Sequence, residues 1–376
     1  MAGIYIHLPF CKDKCYYCDF FSGNQLYLID HYVIAVVGEI ELRKSYVNDN
    51  QIDTIYFGGG TPSLLSSFQL GRIINKIQTS FHISPSAEIT IECNPENISK
   101  EYLKDLYDIG FNRISLGVQF LKDAVLSKYN RKHSKELIIS SLDRICDSQL
   151  RNLSLDLIYS VPEISDSYVE QSLMELLKYD IKHFSAYELT ISRHSKLYWQ
   201  KVENSVDSQS EESSIRQYRL IRDILRVHGF VQYEVSNYAL PGFYSRHNLG
   251  YWNLELYLGI GTSAHSYNGI SRQWNHKNIK KYLDEIERGI VSFDYEILSE
   301  EQKYNEYIML KLRTCEGLSK NFILESFNKS ISNHFLSVLQ KLVSQGSFEL
   351  VKDRVIPKED DILLADFLSK MLYYNS

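Results

Sequence analysis

The chain has 376 residues, 44% hydrophobic and 23% charged, a balance that suits a globular protein of one large domain and a smaller one, or of two or three. No run of about 18 apolar residues occurs, which excludes a membrane-spanning helix. The net charge of −6, with no Lys/Arg-rich block, gives no electrostatic footprint for a nucleic-acid partner. The first ten residues lack a basic segment followed by an apolar one, and a cysteine motif begins almost at once. That leaves no room for a cleaved signal, and a cytoplasmic location is expected. The six cysteines do not form a disulfide framework in a chain this long. Cys93, Cys146 and Cys315 are isolated and read as small buried hydrophobes.

In chain order, Gly3–Leu8 reads as a strand and runs into Cys11, Cys15 and Cys18, spaced C-x3-C-x2-C. A four-iron cluster takes four Cys thiolates, so three close thiolates leave one iron open to an exchangeable molecule. Zinc also favours close Cys pairs, and would need a fourth ligand here, His7 or Asp19 being nearest. Further strands are expected at Thr54–Phe57, Glu88–Glu92, Arg113–Val118, Leu153–Ile158 and His183–Glu188. Helical patterns lie between them at Leu28–Lys44, Phe68–Ser80, Lys100–Ile109, Lys135–Ser148 and Ser167–Lys178. This alternation argues for βαβ units wound in one direction around a parallel sheet, with reactive groups at the C-terminal strand ends.

Those ends carry distinctive residues. The second is followed by Gly58-Gly59-Gly60-Thr61-Pro62, where glycines let the backbone approach a ligand. The third ends at Glu92, a carboxylate suited to ribose hydroxyls. The fourth gives Gly117-Val118-Gln119, with Arg131 twelve residues on, and the fifth carries Asp156 among apolar neighbours. A buried Asp must be paired or hydrogen-bonded, and a salt bridge to Arg131 is one expectation.

A polar stretch at Ser205–Ser214 reads as a loop capping a helix over Ile215–His228. Residues 230–275, dense in Tyr, Gly and Asn, read as irregular structure. From Ser299 the pattern turns helical through Leu312, Phe322–Phe327 and Phe335–Ser344. A strand pair, Phe348–Val351 and Val355–Pro357, and a last helix over Ile362–Tyr373 follow, as in a winged helix. The expected divisions are 1–192, 193–298 and 299–376.

The order YIHLPFC, GGGTP, IECNPE, GVQ and DLIY resembles the coproporphyrinogen oxidase-like branch of the radical S-adenosylmethionine (SAM) superfamily, over nearly the whole chain. The resemblance implies an α/β fold: a partial (β/α)6 barrel, a helical or irregular region, and a winged-helix-like C-terminal module. It implies a [4Fe–4S] cluster on Cys11, Cys15 and Cys18. It also implies SAM contacts from Tyr5, Tyr17, Gly59, Gly60, Thr61, Glu92, Gln119, Arg131 and Asp156.

Within the branch, the string His247-Asn248-Leu249-Gly250-Tyr251-Trp252 looks like the HNxxYW motif of HemW-type haem chaperones. Imidazole is a good haem-iron ligand, and flat aromatics stack on a porphyrin. The likeness implies haem at His247, Asn248, Tyr251 and Trp252, with His265 a second possible ligand. It also implies transfer to a haem-acceptor protein, such as a respiratory haem enzyme. The alternative in this branch is an oxygen-independent coproporphyrinogen III oxidase. Such enzymes carry a fourth cysteine two residues after the third and a longer N-terminal extension. Here Phe20 takes that place and ten residues precede the motif, so the chaperone is the expected reading.

Overall fold

In the computed structural model, which describes residues 2–47, 51–203, 210–357 and 359–375, six strands lie side by side in chain order, all parallel. They are β1 (Ala2–Leu8), β2 (Ile52–Gly59), β3 (Ile83–Cys93), β4 (Arg113–Gln119), β5 (Leu153–Tyr159) and β6 (His183–Glu188). Their alternation explains the architecture. Ile4, Ile6 and Leu8, Ile55 and Phe57, and Ile114, Leu116 and Val118 are fully buried in the main hydrophobic core. The intervening residues, such as Tyr56, Glu92, Arg113, Ser115, Asp156 and Ser185, line a cavity inside the barrel. Apolar side chains thus face the helical layer, while polar ones face a ligand-sized interior.

The crossover helices follow from local chemistry. Those at Ser67–Ser80, Lys100–Asp108, Lys135–Cys146 and Asp166–Leu176 are each capped by the preceding serine, whose side chain accepts a first-turn N–H. Ser66 and Gln69 complete a capping box.

The barrel does not close. Six short strands follow: β7 (Val231–Gln232), β8 (Asn237–Ala239), β9 (Leu256–Ile260), β10 (His265–Tyr267), β11 (Ser271–Asn275) and β12 (Phe293–Ile297). β9 adds to β1 in parallel and continues through β10, β11 and β12. β8 adds to β6 antiparallel. Residues 230–275 therefore carry short strands, together with a helix over Arg246–Trp252, too brief to leave a readable period. The loop expected at Ser205–Ser214 lies in part outside the described residues. The helix after it begins at Glu211 under a Ser210 cap.

Beyond residue 299 the order is helix, β13 (Leu318–Ser319), two helices, β14 (Phe348–Val351) and β15 (Arg354–Pro357). The three strands form their own antiparallel sheet over a second core containing Ile308, Phe335 and Leu368, which is a winged-helix arrangement. Among the described residues no helix is long and apolar enough to cross a membrane. Of the isolated cysteines, Cys93 is buried, but Cys315 is exposed. It sits in the turn after the Glu300–Lys311 helix, where its backbone N–H donates to Tyr233 O.

Candidate functional site

The loop after β1 carries the three cysteines and is fixed along its length by backbone bonds. Cys11 N–H donates to Gly23 O, and Gly23 N–H donates to Pro9 O. Thr61 N–H donates to Phe10 O, and Tyr16 N–H to Tyr129 O. Gly59 and Gly60 make this packing possible. A Cβ on Gly60 would lie 2.6 Å from Phe10 O, and one on Gly59 would lie 2.6 Å from the His7 ring, with φ at +108°. The triplet therefore serves first to seat the cysteine loop against β2, and Gly59 N–H is taken by Glu92 Oε2 at 3.2 Å.

Cys11, Cys15 and Cys18 all face one cavity of about 490 Å³ at the C-terminal ends of the strands. Thr61 Oγ1 donates toward Cys11 Sγ at 3.7 Å, and Arg131 Nη1 toward Cys15 Sγ at 3.5 Å. Burial pushes the Cys18 thiol up to about 11. These donors, directed at sulfur, suit thiolates held in a charged group, which is the chemistry a cluster needs. Among the described residues no three His, Cys, Asp or Glu side chains stand so as to hold a single metal ion. His7 is engaged at both nitrogens, with Tyr5 and Phe21 O.

Tyr17, Gly59, Gly60, Thr61, Glu92, Gln119, Arg131 and Asp156 line the same cavity. Glu92 accepts from Tyr56 Oη at 2.9 Å. Burial, and the nearby Asp156 charge, push it up to about 7. Asp156 accepts from Ser115 Oγ at 3.0 Å, and burial pushes it up to about 6. The salt bridge expected between Asp156 and Arg131 does not form, because the guanidinium is directed to Cys15 Sγ and Gly117 O. Gln119 ends β4 with φ at +63°, a strained left-handed conformation for a residue with a Cβ.

Tyr5 is placed differently from the others. Its hydroxyl is hydrogen-bonded to His7 Nδ1 at 3.2 Å, its ring is stacked with Tyr56 and His247, and it does not line the cavity. Among the lining residues that the sequence reading did not single out are Tyr56, Arg113, Ser115 and Ser185. Counting back in twos from Gln119 along β4 would have found Ser115 and Arg113, since alternate strand residues share a face.

The HNxxYW residues lie at the opposite end of the barrel, on the Arg246–Trp252 helix. His247 is buried, with Nδ1 hydrogen-bonded to Thr54 Oγ1 and Nε2 to Tyr251 Oη, both at 2.8 Å. Its ring stacks on Tyr56 at 5.0 Å, and burial lowers its pKa to about 3. Glu88 accepts the backbone N–H groups of Arg246 and His247, fastening the helix to β3. Asn248 reaches the floor of the cysteine-lined cavity, whereas Trp252 is half-buried outside it. His265 is exposed, on β10, with its ring stacked on Trp274 at 6.2 Å.

Comparison with known proteins adds the following. Residues 5–176 match the model of the radical SAM superfamily, and residues 298–360 match that of the HemN C-terminal domain. The chain is 34% identical to the heme chaperone HemW of Bacillus subtilis, over 92% of each chain. It is 33% identical to the heme chaperone HemW of Lactococcus lactis, over 94% of this chain and 90% of the relative. Among solved structures, the coproporphyrinogen III oxidase HemN of Escherichia coli, described as a radical SAM enzyme, superposes with a TM-score of 0.84. That match has 20% identity and covers 99% of this chain and 89% of the other, which shows a shared fold.

Proposed function

The chain belongs to the HemW family of the radical SAM superfamily, and on that premise we propose that it is a cytoplasmic haem chaperone, binding haem and handing it to an acceptor protein. The acceptor class in this reading is a respiratory haem enzyme. The observation that carries the reading is the match to proteins named heme chaperones, at about a third identity over nine-tenths of both chains.

In this reading Cys11, Cys15 and Cys18 hold a [4Fe–4S] cluster whose remaining iron takes SAM, and the cluster supplies an electron when bound. The chain's own residues do the positioning. Arg131 and Thr61 direct N–H and O–H groups at two of the sulfurs, favouring their thiolate form. Glu92 on β3 and Asp156 on β5, either side of β4, present acceptors for the hydroxyls of a nucleoside, and Tyr17 walls the cavity beside the cysteines. Phe20, where an oxidase carries its fourth cysteine, stands exposed at the rim.

The haem-binding residues in this proposal are His247, Asn248, Tyr251 and Trp252. In the present conformation His247 is closed, so ligation of iron requires the imidazole to leave Thr54 and Tyr251. Release of the short Arg246–Trp252 helix from the barrel base would expose it together with Tyr251 and Trp252. Haem titration of the purified chain, followed by mixing with an apo-haem protein and recording of the acceptor's Soret band, tests the reading. Uptake without transfer, or no uptake, would refute it.

A further inference from the structure

The floor of the barrel cavity holds a charge that the cluster and SAM assignments leave unused. Arg113 opens β4, is 2% exposed and lines the cavity. Among the described residues its Nε has no hydrogen-bond partner and no ion pair reaches it. Asp156 feels the Arg113 charge but makes no ion pair with it, being hydrogen-bonded by Ser115 and Ser185. Thr90, the cross-strand neighbour of Arg113 on β3, also has a buried hydroxyl without a partner among the described residues. A guanidinium taken out of water without a paired anion is costly, and a chain that retains one inside a ligand-sized cavity gains by it only when an anion arrives.

We propose that Arg113 heads a carboxylate-binding subsite in the barrel floor, taking a small acid other than SAM. Asn248 lines the same wall and supplies a neutral donor, while Ser115 and Ser185 hold Asp156 beside it. The planar fork of Arg matches a carboxylate bidentately. A phosphate dianion is disfavoured, because Glu92 and Asp156 line the same cavity and would repel a second negative charge. The subsite lies at the first residue of β4, whereas the cysteines sit beyond the strands' C-terminal ends. The proposal rests on the reading of the upper cavity as the SAM site, where SAM's own carboxylate is used.

The test is equilibrium dialysis of labelled propionate against the cluster-reconstituted full chain at fixed ionic strength, with and without saturating SAM. The expected result is saturable binding that persists with SAM present. It should weaken about tenfold or more in Arg113→Gln, the loss typical of a charged hydrogen bond, and less in Arg113→Lys. Asn248→Ala, which leaves the guanidinium in place, should weaken it severalfold and decides the matter if circular dichroism shows the Arg113 variants unfolded. Binding unchanged in the folded variants, displacement by SAM, or no saturable binding would overturn the subsite. Labelled SAM dialysed in parallel separates the two readings: a chain that takes propionate but not SAM contradicts the SAM assignment and leaves the subsite standing.

Discussion

His247 Nδ1 and Thr54 Oγ1 lie 2.8 Å apart at the base of the barrel, so the helix bearing HNxxYW is hydrogen-bonded directly to the second barrel strand. The next residue, Asn248, lines the cavity that the three cysteines cap at its other end. The two halves of the proposed function therefore share one interior, and this contact governs whether the imidazole is free.

Thr54→Val removes one of the two partners of His247 at nearly constant volume. A neutral hydrogen bond contributes about 0.5–1.5 kcal/mol, so release of the imidazole becomes easier by roughly two- to tenfold. Haem should bind more tightly by that factor, with the wild-type Soret position. His247→Ala should lose the wild-type Soret position and about 1–3 kcal/mol of stability, because the Thr54 and Tyr251 hydroxyls are left unpaired. Identical haem spectra and affinities in all three proteins would remove His247 from the haem site.

For the cluster, anaerobic reconstitution should give about four iron and four sulfide per chain, and replacing Cys11, Cys15 or Cys18 with Ala should lower both sharply. Arg131→Gln loses the donor to Cys15 Sγ and the bond to Gly117 O, but removes no thiolate. Iron should be retained while SAM affinity drops about tenfold. Full iron content in a cysteine variant would contradict the assignment, as would unchanged SAM affinity in Arg131→Gln.

Gly60→Ala probes the seat of the cysteine loop. Its Cβ would meet Phe10 O at 2.6 Å, Phe10 N at 2.7 Å and Leu8 O at 2.8 Å, all backbone atoms that cannot swing aside. Overpacking of this kind costs about 1–3 kcal/mol. Urea unfolding should show that loss, with poorer cluster uptake, because the loop is displaced. Normal stability and iron content would mean that the β2 end and the loop are not in this contact.

Glu92 sets a pH dependence. Its folded-state value is raised from 4.5 to about 7, so between those limits the folded chain binds more protons than the unfolded one. Stability must fall as pH rises through that window. Glu92→Gln removes this loss. Its stability relative to wild type should move in the variant's favour from pH 5 to pH 8, by on the order of 1.4 kcal/mol for each pH unit crossed inside the window. The buried neutral His7 and His247 act alike in both proteins and cancel in the difference. Its SAM affinity at pH 8 should be the weaker, for want of an ionised acceptor. A stability difference that moved the other way would contradict the buried placement of this carboxylate.

The barrel was legible because its signal is local and repeated. Six short apolar runs alternate with helical patterns, and each polar strand end sits where parallel βα units put their chemistry. The cysteines, Glu92, Gln119 and Asp156 line one cavity for that reason. What could not be read depended on packing between distant segments. Nothing local to Arg131 says that its guanidinium reaches Cys15, 116 positions earlier, in preference to Asp156. The pairing of β9 with β1, which turns a Tyr- and Gly-rich stretch into sheet, likewise exists only once the barrel edge is present to receive it. The motif places His247 among the haem residues, while its burial against Thr54 and Tyr56 is a tertiary fact that no local string carries.

The most direct measurement sets haem and coproporphyrinogen III side by side before the same anaerobically reconstituted protein. Haem is followed through a desalting column and into an apo-haem protein, while protoporphyrinogen formation is assayed in parallel with SAM and a reductant. The account predicts that haem is retained and passed on, and that coproporphyrinogen is left unchanged. Conversion of coproporphyrinogen by a protein that takes up no haem would contradict it.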